Sequence, residues 1–415
     1  MTCGRGYGVF SKRRRRGVAL AHVGVAALAT GIATILLLAL TGGAGSGAPR
    51  GAAARPGPVP VPAGSGPPLA RSQQGIIAKV EPGVVIINTM LQYDSEAAAG
   101  TGVVLNPDGL VLTNNHVIQD STSITATVPS THKTYAAHVL GYDKAGDIAL
   151  IQLQRASGLT TVPVGNSSSL ETGQPVVALG NANGENAVIA APGQVTGLGQ
   201  TITASDDAGS ASTETLHGMI QTNADIVAGD SGGPLSNSGG VIGMDTAGTD
   251  PTSPQQPATG FAIPINTALS IARQIAASRS SSTVVIGYPG FMGIFIGSGR
   301  SSNPQDQVGQ QQQPGSPENP GCATSNASLS APSAIAPVTS GVLVEGSICG
   351  SPAAQAGMTG GSVITAVDGH AVGSPDDLGR VQARFHPGDT VSVTWVNPAG
   401  QRTTSRMRLA AGPPQ

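Results

Sequence analysis

The chain has 415 residues, enough for two domains, with 59 Gly and 31 Pro but only 3% aromatic residues. This composition favours short strands joined by turns and argues against a helical bundle. The first 40 residues carry six of the 21 basic residues and no acid, so the remainder carries 15 basic against 23 acidic residues. Because the body is acidic, nucleic acid is not an expected partner.

The N-terminus begins with a basic tail, residues 1–16, followed by an uncharged segment from Gly17 to Leu40. Roughly 20 apolar residues cross a bilayer as a helix, so this segment predicts a transmembrane helix. The arginines before it predict that the tail is cytoplasmic and that the rest of the chain lies outside. A cleaved signal peptide stays open as the alternative, because small residues from Thr41 to Ala48 offer a cleavage site.

Residues 41–72 are rich in Gly, Ala and Pro. Such a segment cannot bury a hydrophobic core and predicts an extended tether. The expected location is therefore the cell membrane, crossed once, with the folded domains outside the cytoplasm. If the N-terminal segment is cleaved, the expected product is secreted.

Apolar residues alternate with polar ones from Val84 onward, and Gly, Asn and Asp turns interrupt the pattern. Period-two alternation predicts half-buried strands, and a succession of them predicts a β-barrel. The predicted strands are Val84–Thr89, Gly102–Leu105, Gly109–Thr113, Ile148–Leu153, Val176–Gly180 and Gly240–Asp245. A helix is predicted to follow them, with Asn266 as its N-cap and its end near Ser278.

Three residues in the chain order His, Asp, Ser indicate nucleophilic catalysis. Ser231 lies in Gly-Asp-Ser-Gly-Gly-Pro-Leu, where glycines allow the N–H groups of Gly229 and Ser231 to hold an oxyanion. A serine needs a base to take its proton, and His116 is the predicted base. Asp147 is the predicted acid that orients the histidine, and the chain order matches that of chymotrypsin-type peptidases.

Asp143 competes with Asp147 for the role of the acid, but its loop position beside Lys144 suggests a solvated surface charge. The other six histidines are assigned no catalytic role. None is paired with Cys or a second His at metal-ligand spacing, so no metal and no cofactor are expected. These residues are His22, His132, His138, His217, His370 and His386.

Four segments together resemble the HtrA serine proteases of the DegP/DegS type, and especially the exported PepA-like proteins of actinobacteria. They are Thr113–Val117, Asp147–Leu150, Ile220–Leu235 and Gly260–Pro264. The resemblance covers roughly residues 75–412 and implies a mainly β fold, with a trypsin-like double β-barrel protease domain followed by a PDZ domain. It also implies that Thr246, Ala247 and Gly248 form the strand that pairs with substrate, and that Thr246 lies near Asp147.

The expected domain boundaries are 73–280 for the protease domain and 281–412 for the PDZ domain. A Gln-, Pro- and Ser-rich insertion at 299–335 is predicted to be disordered. The run Gly290-Phe291-Met292-Gly293-Ile294 resembles the PDZ loop that binds a peptide C-terminal carboxylate. A plain Gly-rich entry into a strand is the alternative interpretation of this run.

Cys322 and Cys349 are the only cysteines predicted to lie outside the cytoplasm, since Cys3 belongs to the basic tail. Disulfides persist in that environment, so the two are expected to pair. Two buried free thiols are the alternative.

Asp225 lies six residues before Ser231, an offset that places a residue at the base of the specificity pocket in trypsin-like enzymes. A carboxylate there would favour Lys or Arg in the substrate. HtrA-type proteases usually carry an apolar residue there and cut after small aliphatic residues. If Asp225 points to solvent, Ile226 would line the pocket, and this small aliphatic preference is the one we expect.

The sequence thus predicts a serine-type endopeptidase, and the resemblance implies unfolded or damaged envelope proteins and peptide C-termini as its partners. A homotrimer is one assembly considered for this protein. A non-proteolytic peptide-binding holdase or sensor of the cell envelope is the rival function, and an esterase would share the chemistry but not the fold signature.

Overall fold

The computed structural model describes residues 7–9, 70–91, 96–206, 213–249, 259–296, 301–307, 322–325, 328–329 and 332–414. The predicted membrane segment, residues 17–40, and the linker through residue 69 lie outside these ranges. Within the described ranges, no helix is both long enough and apolar enough to cross a membrane.

A short strand, β1 (Tyr7–Val9), belongs to the segment predicted as a cytoplasmic tail. It pairs antiparallel with the later strand Gly240–Thr249 and parallel with Ile189–Asp206. A segment paired with the folded domain cannot lie across a membrane from it. The cytoplasmic placement predicted for residues 1–16 is therefore incompatible with this pairing.

The first of two closed barrels follows helix α1 (Arg71–Val80). Neighbouring strands pair antiparallel in the order β6-β5-β2-β3-β4-β7, and β6 also pairs with β7, which closes the barrel. Alternate apolar side chains point inward, as the two-residue period of a strand requires. The strands are β2 (Val84–Leu91), β3 (Glu96–Val104), β4 (Leu110–Thr113), β5 (Ser123–Val128), β6 (Lys133–Asp143) and β7 (Ile148–Leu153).

The second barrel has the same number of strands and the same kind of closure. Its order is β12-β11-β8-β9-β10-β13, and pairing of β12 with β13 closes it. The strands are β8 (Pro175–Gly180), β9 (Ile189–Asp206), β10 (Thr213–Thr222), β11 (Pro234–Asn237), β12 (Gly240–Thr249) and β13 (Thr259–Pro264).

Apolar side chains fill the interior of each barrel and also the space between the barrels. Leu112 and Leu150 of the first barrel belong to the same buried cluster as Val177 and Leu179 of the second. Burial on this scale, at roughly 25 cal/mol per Å² of apolar surface, holds the two barrels together. The strand ends that face this junction are therefore held in a defined position.

Two helices complete the protease region. Helix α2 (Asn115–Ile118) is one buried turn after β4, and α3 (Ile265–Ala276) packs its buried face against both barrels. The predicted role of Asn266 as N-cap is wrong, because Pro264 precedes the helix and Asn266 lies in its first turn. The Asn266 amide instead donates to Asn166 and Ser168 in a neighbouring loop.

The C-terminal region has its own sheet and core. Strand β14 (Val284–Ile286) pairs with β6 and leads to a sheet of order β16-β17-β18-β20-β21, with β19 on β18 and a separate pair β15–β22. Trp395, Met358 and Leu378 lie in its buried core. The further elements are β15 (Gly290–Phe291), β16 (Ile294–Ile296), β17 (Val342–Ser347), α4 (Pro352–Gln355), β18 (Val363–Val367), β19 (His370–Ala371), α5 (Pro375–Gln382), β20 (Thr390–Val396), β21 (Arg402–Arg408) and β22 (Ala410–Ala411).

Parts of the insertion predicted as disordered have defined structure. Residues 301–307 include a 3-10 turn, and the buried Gln307 amide donates to Gly341 O at 2.7 Å and accepts from Leu343 N at 2.7 Å. Cys322 forms a disulfide with Cys349, which ties residues 322–325 to the sheet. The prediction of disorder is wrong for these parts. Hydrogen bonds from the Gln307 side chain to the region of β17, and the disulfide, hold them in place although they contain few apolar residues.

Candidate active site

The first barrel positions a histidine and an aspartate at the ends of adjacent strands. Strand β4 ends at Thr113, and the buried turn α2 then carries His116. Asp147 comes directly before β7 in the left-handed conformation, with φ of +50°, and its N–H donates to Lys144 O at 3.2 Å. Aspartate tolerates this conformation better than most residues, so the turn fixes where the carboxylate points.

Three contacts join His116 to Asp147. The ring Nδ1 lies 2.9 Å from Oδ2 and 3.0 Å from Oδ1, and the His116 backbone N–H donates to Oδ1 at 3.0 Å. The Asn114 amide donates to Asp147 O at 2.8 Å. A carboxylate at Nδ1 favours the tautomer with the proton on Nδ1, which leaves Nε2 as the basic nitrogen.

Thr246, on β12 of the second barrel, contacts both the aspartate and the serine. Its hydroxyl donates to Asp147 Oδ2, and its backbone carbonyl accepts a 3.5 Å hydrogen bond from Ser231 Oγ. The serine itself is fully buried, at 0% exposure. One threonine therefore connects the His–Asp pair of the first barrel to the serine of the second.

Asp143 lies away from this arrangement. It is only 6% exposed, and its carboxylate accepts from Gly146 N and from Thr283 Oγ1, each at 3.0 Å. The interpretation of Asp143 as a solvated charge is therefore wrong. It shapes the turn that leads to Asp147 and does not contact the histidine through any described hydrogen bond.

Glycines on either side of Ser231 permit close approach of backbone from two other segments. Gly229 and Gly232 have φ of +97° and +84°. A Cβ on Gly229 would lie 2.1 Å from Asn181 O, and one on Gly232 would lie 2.1 Å from Thr101 O. Only glycine fits both the space and the conformation at these two positions.

Thr101 of β3 is a site residue that the sequence did not indicate. Its hydroxyl donates to Gly229 O at 2.7 Å and accepts from Asn181 N at 2.9 Å, and its N–H donates to Ser231 O at 2.9 Å. This buried threonine holds the serine loop of the second barrel against the first. Its sequence context, a threonine between two glycines in a strand, carried no signal for this cross-barrel role.

Of the two residues predicted to set specificity, one is exposed and the other is buried. Asp225 is exposed, whereas Ile226 is buried in the core of the second barrel. A Cβ on Gly260 would lie 2.5 Å from Ile226 Cδ1, and Gly260 is paired with Gly248 across β12 and β13. Ile226 thus lies beside the strand predicted to bind substrate, and Asp225 does not line a buried pocket.

The strand predicted to pair with substrate is the edge segment 246–248 of β12. Ala247 lies opposite Val9, and Gly248 lies opposite Gly8, in an antiparallel register. The backbone of this edge therefore already accepts an extended segment of the same chain.

The five residues predicted as a carboxylate-binding loop form the entry to the C-terminal sheet. Gly290 and Phe291 pair with β22, and Ile294 begins β16. The carbonyl of Met292 accepts from Ala353 N at 2.9 Å, and that of Gly293 accepts from Ile348 N at 2.9 Å. Because a peptide group is planar and trans, inward carbonyls turn the next N–H groups outward.

Two further buried carboxyl groups flank the serine loop, Asp230 at 4% exposure and Asp245 at 0%. Burial raises the pKa of Asp230 from 3.8 to about 7; a hydrogen bond from Val227 N opposes the rise, and nearby Asp225 adds to it. Burial, together with the charge of Asp230, raises the pKa of Asp245 well above 3.8. The sequence motifs assigned neither residue a role.

Within the described ranges, no group of three or more His, Cys, Asp or Glu side chains is placed to hold a metal ion.

Comparisons with known proteins identify relatives among the serine proteases. The family model of the trypsin-like peptidase domain matches residues 100–244. The serine protease PepD of Mycobacterium tuberculosis is 30% identical over 81% of this chain and 66% of PepD. The Do-like serine protease HtrA of Lactococcus lactis is 30% identical over 77% of this chain and 72% of that protein. Among solved structures, the HtrA-type protease AlgW with tripeptide covers 83% of this chain and 98% of that chain, at 24% identity and a TM-score of 0.44.

Two closed six-stranded barrels and the domain match together define the trypsin-like serine peptidase class. The two relatives are each 30% identical to this chain over more than three quarters of its length, and the match covers 72% of the Lactococcus lactis protein. The chain therefore belongs to the HtrA family of serine proteases. The resemblance identified from the sequence motifs is confirmed. The chain spans 66% of the length of PepD, just under two thirds.

Proposed function

We propose that this protein is an extracytoplasmic serine endopeptidase that hydrolyses peptide bonds of unfolded or damaged envelope proteins. The observation that carries the proposal is the contact of Thr246 with both Asp147 and Ser231, which joins the predicted acid and nucleophile. Family membership supports the reaction class, and relatives described as periplasmic proteases support export.

In the proposed reaction, Ser231 Oγ attacks the carbonyl carbon of the scissile peptide bond. His116 Nε2 takes the serine proton and later gives it to the leaving amine. Asp147 keeps the ring in the required tautomer and stabilises the imidazolium that forms, and its contacts with the His116 N–H and Nδ1 support that role. Water then takes the place of the departed amine: His116 Nε2 takes a proton from it, its oxygen attacks the acyl carbon, and the proton passes to Ser231 Oγ as the acyl–serine bond breaks.

The proposed oxyanion hole uses the N–H groups of Gly229 and Ser231. The carbonyl before Gly229 accepts from Asn183 N at 2.6 Å, and the carbonyl before Ser231 accepts from Gly233 N at 2.8 Å. In planar trans peptides the two N–H groups then point away from those bonded neighbours. Preorganised donors of this kind stabilise the negative charge that develops during attack.

For substrate selection we propose that Thr246, Ala247 and Gly248 pair with the substrate backbone and that Ile226 lines the pocket before the cut. The contact of the Thr246 carbonyl with Ser231 Oγ, which puts this edge beside the predicted nucleophile, supports the first part. The buried position of Ile226 beside Gly260, and the exposure of Asp225, support a preference for small aliphatic residues over Lys or Arg. An exposed carboxylate gains little from a basic side chain, because solvent screens the pair.

We propose further that the C-terminal region is a PDZ domain. Strand β16 lies at the edge of its sheet, and Gln382 of α5 donates to Gly290 O at 2.7 Å, so the loop 290–294 adjoins both elements. An open strand edge beside a helix and outward N–H groups fits binding of a peptide C-terminus as an added strand. The Cys322–Cys349 disulfide fits an oxidising compartment.

The membrane tether at residues 17–40 and a homotrimeric assembly remain parts of the proposal. Protease digestion of intact spheroplasts tests the topology: digestion of the folded domains with protection of residues 1–16 supports the tether. In that arrangement β1 cannot pair with β12, so the same experiment decides between the two placements of the N-terminus.

Sedimentation of the protein without residues 1–69 tests the trimer.

An active-site serine probe tests the proposed function. The parent protein is expected to be labelled at Ser231 and to cleave a denatured protein, while Ser231→Ala loses activity by at least about 10⁴-fold and keeps its unfolding midpoint. Ser130→Ala, in the exposed turn between β5 and β6, is a control for substitution of a serine outside the site. Binding of denatured protein without labelling or cleavage would instead support the holdase function.

A further inference from the structure

Asp245 is a fully buried carboxyl group to which no hydrogen bond is donated within the described part of the chain. Both its oxygens lack a partner there, as does Oδ1 of Asp230. An ionised carboxylate in such a place would cost several kcal/mol in lost solvation, because burial removes it from bulk solvent and no described donor replaces that solvation. The group therefore has a strong physical reason to hold a proton.

The backbone ties these two acids to the nucleophile. Asp230 directly precedes Ser231, and its Oδ2 accepts from Val227 N at 2.9 Å. The Asp245 carbonyl accepts a hydrogen bond from Gly232 N, and the Asp245 N–H donates to Gly233 O, each at 2.8 Å. A change in the charge of either side chain thus acts on the loop that carries Ser231.

No cation among the described groups neutralises the two acids. Asp225, exposed on the same loop, adds negative charge near Asp230. The His116 ring lies against the Asp147 carboxylate, which also accepts from the Thr246 hydroxyl. On the elements packed against β12, Lys79 of α1 is exposed and donates to Ser238 O, and Arg273 of α3 is exposed.

We propose that Asp245 is held as a neutral carboxylic acid and that, in this form, it positions the loop carrying Ser231. Asp245 is a positioning residue, since it acts on catalysis through the loop. The inference rests on the proposed function for its catalytic consequence but not for its structural one. The direction of the Asp245 pKa, well above its usual value, agrees with the geometry.

The catalytic consequence is a loss of activity at alkaline pH. Once Asp245 loses its proton, a carboxylate is buried without a described donor, and the loop must move to hydrate it. The nearby charge of Asp230 adds to this cost. Replacing Asp245 by the uncharged Asn should remove the limb, because no charge can then form at that position.

The experiment compares the pH dependence of cleavage in the parent, Asp245→Asn and the exposed control Asp108→Asn. The parent and the control are expected to lose activity about tenfold per pH unit on the alkaline limb. In Asp245→Asn this limb is expected to be absent. An unchanged limb in folded Asp245→Asn would overturn the proposal.

A second measurement does not depend on hydrolysis. In the Ser231→Ala protein, infrared spectroscopy is expected to show the band of a protonated carboxylic acid at pH 7. Asp245→Asn in the same background is expected to show a weaker band, because Asp230, with a pKa of about 7, also contributes. Absence of the band in Ser231→Ala protein overturns the proposal even if Asp245→Asn does not fold. If the band is present and weaker in Asp245→Asn but the parent does not cleave protein, the neutral Asp245 stands and the proposed function fails.

Discussion

Each barrel buries an aspartate that contacts or adjoins Thr246, and the two carboxyl groups have opposite surroundings. Asp147 of the first barrel is 1% exposed and lies against three donor groups: the His116 N–H, the His116 ring and the Thr246 hydroxyl. Asp245 of the second barrel is the next residue before Thr246, and its side chain has no donor in the described ranges. The two groups are equally deep in the protein.

The difference shows that two equally buried acids can meet different numbers of hydrogen-bond donors. Three donor groups contact the Asp147 carboxylate in place of the water that burial removes. Without donors, burial favours the neutral form of Asp245. The same fold thus gives two acids beside one threonine opposite hydrogen-bonding environments.

The largest expected effect comes from Asp147→Asn, which tests whether Asp147 is the hydrogen-bond partner that orients His116. An amide would hold the ring in the wrong tautomer, so we expect kcat to fall by about 10⁴-fold. Asp143→Asn is the matched control in the same turn, and we expect it to lose less than about tenfold. Steady-state cleavage of a denatured protein measures both. Equal losses in the two variants would contradict the assignment of Asp147.

Asp230 gives the next largest effect, on stability. Its folded pKa of about 7 exceeds the usual 3.8, so the native state binds the proton more tightly than the unfolded chain. The stabilising contribution is present below pH 3.8 and is lost as pH rises toward 7, by about 4 kcal/mol in total. Urea unfolding of Ser231→Ala protein, with and without Asp230→Asn, measures the difference. Parallel curves from pH 4 to pH 8 would contradict the burial of an uncompensated acid.

Thr246→Val sharpens the comparison, because it removes one donor from Asp147 while Asp245 is left in place. Loss of a hydrogen bond to a charged group costs about 1.5–3 kcal/mol, so we expect activity to fall by roughly 10- to 100-fold. Thr246→Ser keeps the hydroxyl and should recover most of the loss. If Ser and Val variants are equally impaired, packing of the methyl group, and not the hydrogen bond, supports the site.

The smallest expected effect is that of Asp225→Ala on cleavage-site preference. Asp225 is exposed, so its removal should leave cuts mainly after Val, Ala, Ile or Leu and should change the rate less than about threefold. Mass spectrometry of the peptides from a denatured protein measures the preference. A majority of cuts after Lys or Arg in the parent, abolished in Asp225→Ala, would place the carboxylate in the pocket.

Sequence patterns predicted the barrel strands that alternate strongly, such as Ile148–Leu153 and Val176–Gly180, to within a residue or two of β7 and β8. They did not predict β9, where Gly, Pro and Gln interrupt the apolar pattern. That strand is held by pairing with β8 and β10 along its length. Tertiary pairing outweighs local propensity in such strands.

Some residues of the site were likewise indicated by the sequence, and others only by the tertiary structure. Local motifs indicated Ser231, His116 and Asp147, because each stands in a short run whose chemistry is readable without the fold. Thr101 escaped notice, since its hydrogen bonds to Gly229 and Asn181 cross between the barrels. The structured parts of the insertion escaped notice for the same reason: Gln307 is ordered by hydrogen bonds at β17, about 35 positions later in the chain.

The sequence by itself determined the family, the fold class and the residue types that could act as nucleophile, base and acid, because these depend on local patterns and chain order. Only the tertiary structure decided that Asp143 and Asp245 are buried, which donors each acid meets, and that Asp225 faces solvent while Ile226 packs beside Gly260. Burial and hydrogen bonding are set by residues far apart in the chain, and a carboxyl group takes its charge from those neighbours.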